Sequence, residues 1–155
     1  MVKHKHKHRV YIDQSGKIEN TEKPTVVAYS NNRKRSVMIS SSEKRKIQEL
    51  FRKMSKPNIF VYKTFAVLIF LLIRSDLKYV EEIVVDREYK GRESLIKKYL
   101  IELFRISGET VDTNAVYFDE IGKQNNAHNK AISTFRQQIK PDIYLSFEDL
   151  KKWLI

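Results

Sequence analysis

The chain has no cysteine, which excludes a disulfide framework, a thiolate zinc site and a cysteine nucleophile, and leaves an oxidising compartment without support. A cytoplasmic location is the expectation that follows. Acidic charge is scarce as well: 19 Asp and Glu face 30 Lys and Arg, a formal net charge of +11 over 155 residues. Such a field attracts polyanions, nucleic acid before anionic membrane. Long apolar runs are also missing, since Ile59 to Ile73 is short for a bilayer span and carries Lys63, so it reads as a buried core helix rather than a membrane element. No Gly-rich phosphate loop, dinucleotide fingerprint or zincin motif occurs, and a serine triad would have only His128 to draw on outside the N-terminal arm.

What is present suffices for one core: 41% of residues are hydrophobic and 11% aromatic, in a chain the length of a single ordinary domain. That domain is expected over residues 9–155, behind a disordered basic arm at residues 1–8 in which Lys and His alternate and no signal-peptide apolar region occurs. His4, His6 and His8 in such an arm are a weak ligand set. Arg9 to Asp13 is a β-branched and aromatic run ending at the turn formers Gln14, Ser15 and Gly16, hence a first strand. Pro24 to Tyr29 and Arg33 to Ser40, separated by Ser30, Asn31 and Asn32, predict two more strands and an antiparallel meander.

Ser40 and Glu43 have capping-box spacing ahead of Ile47, Leu50, Phe51 and Met54, one face of a helix that Pro57 stops. The apolar helix Ile59 to Ile73 follows, and Ile83 to Val85 is a fourth strand buried on both faces. Leu95, Ile96, Tyr99, Leu100, Leu103 and Phe104 form the stripe of a further helix, closed by Gly108. Ala115 to Phe118 is a fifth strand. Ala127, Ala131, Ile132, Phe135 and Ile139 define a last large helix reaching nearly to Pro141, and Ser146 with Asp149 caps a short closing one. The expected architecture is α/β: a five-stranded mixed sheet, strands one to three antiparallel and strands four and five parallel to the first, with helices on both faces.

Asp13 ends the first strand beside an open loop, where a carboxylate either caps the turn at Ser15 and Gly16 or holds a hard divalent cation. Val84-Val85-Asp86-Arg87-Glu88 repeats the pattern of apolar residues running into an acid. Glu88, two residues on, falls on the same side if the strand continues; otherwise it pairs at the surface with Arg87 or Arg92. His128 opens the last large helix, in register with Ile132, Phe135 and Ile139, as a ligand or as a ring at the core's edge. Asn125 or Asn126 can cap that helix, and Lys123 can hold a phosphate.

The segment Tyr11-Ile12-Asp13-Gln14-Ser15-Gly16, followed by the meander and the alternating helices and strands, resembles the ribonuclease H-like superfamily. The resemblance implies that the first and fourth strands are neighbours, so that Asp13 and Asp86 share a metal ion, Mg²⁺ or Mn²⁺. It also implies a final ligand on the last large helix, and with His128 the set is similar to the Asp-Asp-His branches, which include Piwi domains and the UvrC nuclease domain. Ribonuclease H proper has a first-helix glutamate, for which only Glu43, occupied in capping, and solvent-facing Glu49 are available here; Asp119 and Glu120 are spare acids. A resolvase-like or divergent nuclease is the expectation, with a homodimer as one arrangement. Glu88 would orient a water, and Arg33, Lys34, Arg35, Lys44, Arg45, Lys123 and Lys130 would track the nucleic-acid backbone. The rival expectation is a catalytically inactive binding module of the same fold within a larger assembly.

Overall fold

Val10 and Ile12 alternate with Tyr11 and Asp13, so the first strand turns its aliphatic residues to one face of a sheet and its aspartate to the other. The computed structural model describes residues 8–31 and 33–155, and the expected basic arm lies outside them except for His8, which already belongs to strand β1 (His8–Ser15). Strands β2 (Thr25–Ser30) and β3 (Lys34–Ile39) complete the antiparallel meander, with Asp13 opposite Ala28 and Val27 opposite Val37. Strand β4 (Val80–Asp86) lies parallel to β1, and β5 (Val116–Asp119) parallel to β4. A sixth strand not expected from sequence, β6 (Ile143–Leu145), pairs parallel with β3, giving the order β5-β4-β1-β2-β3-β6.

Helices cover both faces, unequally. On one side α1 (Ser41–Lys53), α2 (Phe60–Ile73), α3 (Glu93–Ile106) and α5 (Phe147–Leu154) close the main core around Val10, Ile12, Val27, Val37, Val85 and the buried side chains of α2. On the other, α4 (Asn126–Phe135) packs Ala131 and Phe135 on Val26, Ala28 and Met38. α2 is buried nearly all round, as its sequence requires. With its flanking 3₁₀ turns it forms a 23-residue helical run, Pro57–Tyr79, holding an 18-residue stretch of mean hydropathy 1.6, which by length and composition is enough to cross a membrane. The run is thus longer than the apolar stretch Ile59 to Ile73 alone suggested, and its buried side chains face the sheet core.

Local signals decide the helix ends. The Oγ of Ser40 accepts the Glu43 N–H at the start of α1, but the box is only half made: the Glu43 carboxylate reaches the Phe147 N–H at 3.3 Å and Lys46 at 2.6 Å instead. Ser146 and Asp149 form the complete box on α5, and Asn125 caps α4 through the Ala127 N–H at 2.8 Å. α4 stops at Phe135, four residues short of the expected Ile139. Gln137 takes a φ of 61° there, and Ile139 turns out to solvent, 41% exposed. Gly16 sits at φ 81° where a Cβ would lie 2.3 Å from the Pro24 carbonyl oxygen and 2.6 Å from the Phe135 ring; only glycine fits.

Candidate metal centre

Parallel pairing of Ile12 with Val85 sets Asp13 beside Asp86, because the next residue on each strand is the aspartate. The chain turns tightly after β4, with the Glu88 N–H on the Asp86 carbonyl at 2.9 Å, and this brings the Glu88 side chain back over the strand ends. One carboxylate oxygen from each of Asp13, Asp86 and Glu88 then lies within 4.8 Å of the others. Asp13 is almost fully buried, 2% exposed, while Asp86 and Glu88 are half-buried.

Three carboxylates so close repel one another when ionised. Burial pushes the Glu88 carboxyl up to about 8, and the negative Asp13 and Asp86 add to the effect. Asp13 is also held above the ordinary carboxylate range, first by burial; the Gln14 N–H opposes the rise, Asp86 reinforces it, and His128 opposes it. Glu88 therefore retains its proton near neutrality unless a cation replaces it.

His128 enters from α4, on the sheet face that carries Asp13. Its Nδ1 shares a proton with Oδ2 of Asp13 at 2.8 Å, while Oδ1 of Asp13 accepts the Gln14 N–H at 2.8 Å. The three groups converging on one point are thus Asp13, Asp86 and Glu88, and His128 touches the cluster through Asp13. Oδ1 of Asp86 accepts the Ile121 N–H at 2.8 Å, tying the loop after β5 to the site. Each carboxylate oxygen has a second lone pair, so these bonds orient the acids without exhausting them. Asp119 stands in register with Asp86 but is exposed and accepts its neighbour's N–H. Glu49 pairs with Arg52 at 3.8 Å on the outside of α1.

A second support was not apparent from sequence. Buried Tyr89, next to Glu88, accepts hydrogen bonds at its hydroxyl from Gln14 Nε2 at 2.9 Å and from the Ile18 N–H at 3.3 Å. This fastens the segment carrying Glu88 to the end of the strand carrying Asp13. A tyrosine in a stretch without periodicity gave no signal of it.

The basic residues divide between the ends of the sheet. Because β2 runs antiparallel to β1, the β2–β3 hairpin lies at the opposite end from the acids. There Arg33 and Arg35 approach Asp76, at 3.9 and 3.6 Å, and Lys34 is exposed. Lys44 is not a surface cation at all: it is fully buried, and its Nζ donates to the Lys17 and Asn20 carbonyls and to Thr25 Oγ1 at 3.2, 2.6 and 3.1 Å. Its aliphatic stem lies on the inner side of α1 with Ile47 and Phe51, so the ammonium serves the β1–β2 loop. Arg45 donates to the Thr21 carbonyl at 3.0 Å. Lys123 is exposed in the loop between β5 and α4, and Lys130 lies 3.4 Å from Asp142.

Three carboxylates brought together at the strand ends form a site that could hold a metal ion. No protein-family model, curated protein or solved structure matches this chain.

Proposed function

We propose that the chain is a divalent-metal-dependent nuclease of ribonuclease H-like type that hydrolyses phosphodiester bonds of DNA or RNA. The observation that carries the reading is the convergence of Asp13, Asp86 and Glu88 at the ends of two adjacent parallel strands in a chain of net charge +11. The mixed six-stranded sheet of order β5-β4-β1-β2-β3-β6, in which β1 and β4 are parallel neighbours, supports the reading. Asp13 and Asp86 would hold the cation together with deprotonated Glu88, and His128 fixes the orientation of Asp13. Bound Mg²⁺ or Mn²⁺ supplies Lewis acidity toward a phosphate oxygen and an activated water. The setting is cytoplasmic, and the apolar run of α2 serves the core.

Incubation with branched DNA, single-stranded RNA and hybrid duplexes in Mg²⁺ or Mn²⁺ tests this. Cleavage that disappears in Asp13→Asn is the expected result, and cleavage that survives it defeats the assignment. One observation favours the alternative of a catalytically inactive binding module: both oxygens of Asp13 and one of Asp86 are already engaged within the protein. That reading predicts salt-dependent nucleic-acid binding with no divalent-ion binding by calorimetry.

A further inference from the structure

Beside the acidic cluster, a groove of about 570 Å³ runs between α3 and the open edge of β5. Its mouth is Arg87, which sits in sequence between Asp86 and Glu88 and donates from Nη2 to the Phe118 carbonyl at 3.5 Å. Lys90, Ser94 and Lys97 continue along one wall, and Val116 and Phe118 form the floor. Lys90 and Lys97 make no ion pair or hydrogen bond among the described residues. Of the two acids on the lining, Glu93 is turned back onto the Gly91 N–H at 2.6 Å, and Glu120 stands at the strand end.

Resting on the nuclease reading above, we infer that this groove carries the single nucleic-acid strand that leads to or from the acidic cluster. Three features point to a single strand. The groove's volume of about 570 Å³ is that of a small-ligand cleft. Arg87, Lys90 and Lys97 among its lining residues supply the positive charge that a phosphate backbone requires. Its floor offers the half-exposed ring of Phe118, a sequence-tolerant surface for a base to stack on. The substrate class is therefore single-stranded, or has a single-stranded arm, at the β5 side of the site.

Fluorescence anisotropy with a labelled short oligothymidylate, in EDTA, separates this inference from the metal reading. The double variant Lys90→Ser/Lys97→Ser is expected to lose about tenfold in affinity, and its log–log salt slope to fall by about 1.4, two phosphate contacts' worth for a single strand. The control Lys53→Ser/Lys151→Ser, equal in charge and set on the far groove between α1 and α5, is expected to bind within about twofold of the parent. Equal losses in the two double variants, wild-type affinity in the first, no oligonucleotide binding by the parent, or equally tight and equally groove-dependent binding of a blunt duplex would each overturn the inference. Mg²⁺ titration of the Lys90→Ser/Lys97→Ser protein reads the cluster separately, and is expected to match the parent. Groove-dependent binding without Mg²⁺ binding would sink the nuclease reading and leave the strand path standing.

Discussion

If Glu88 gives up its proton to a cation, metal affinity must follow pH in a calculable way. With its carboxyl pushed up to about 8, Glu88 is about nine-tenths protonated at pH 7, and each bound ion must displace that proton. The apparent association constant for Mg²⁺ then rises about tenfold per pH unit below 8 and levels off above it, a gain of about 90-fold between pH 6 and pH 9. Calorimetry at pH 7 in buffers of different ionisation enthalpy is expected to report about 0.9 proton released per ion, falling to about 0.1 at pH 9. Asp13, also raised, steepens the acid end. Glu88→Gln is expected to bind more weakly and to lose the dependence between pH 6 and pH 9. An affinity that is flat from pH 6 to pH 8, with no proton release, would refute the placement of Glu88 among the ligands.

The same shift acts on folding. Glu88 keeps its proton in the metal-free native state up to about 8 but loses it near 4.5 when unfolded, so its contribution is intact below the lower value and is lost as pH rises to the upper. The Tm of EDTA-treated protein should therefore fall between pH 5 and pH 8, Glu88→Gln should flatten that fall, and a slope of the opposite sign would contradict it. His128→Ala is expected to weaken Mg²⁺ binding about 10–100-fold, the effect of removing a group that orients a ligand, whereas Asp86→Ala should abolish it. Lys44→Met should cost about 2–4 kcal/mol in urea denaturation, because three oxygen acceptors lose a charged donor; an unchanged midpoint would show the ammonium idle. Gly16→Ala should lower Tm by about 2–4 °C for each kcal/mol of strain, of which the Pro24 and Phe135 contacts and the positive φ leave at least about 1 kcal/mol.

Much of this was readable where the signal is local. Ser40, Asn125 and the Ser146–Asp149 pair are caps, which act within one turn, and each starts a helix where its spacing indicates. The strand-end pattern of apolar residues running into Asp13 and Asp86 likewise marked two positions that parallel pairing makes neighbours. What escaped depends on contacts distant in sequence. Ile143 to Leu145 is too short to show a period and is a strand only because β3 offers Val37 to Ile39 as partners. Ile139 keeps helical spacing, but the chain leaves the helix at Gln137. Lys44 and its neighbours looked alike as surface cations, and only the packing of α1 on the β1–β2 loop distinguishes the buried one. Arg33 and Arg35 were near the acids in no sense but charge, since Asp76 draws them to the other end of the sheet.

The unequal layering of the sheet bears on how the molecule opens. Among the described residues, four helices share a large core on one side, while the other is closed by α4 alone, over Val26, Ala28, Met38 and two apolar side chains of its own. Local unfolding proceeds where the fewest apolar contacts must part. The layer that gives way at least cost is thus the one bearing His128, so hydrogen exchange in α4 should outrun that of α2. Asp13 would meet solvent in that partly opened state while the main core stays folded.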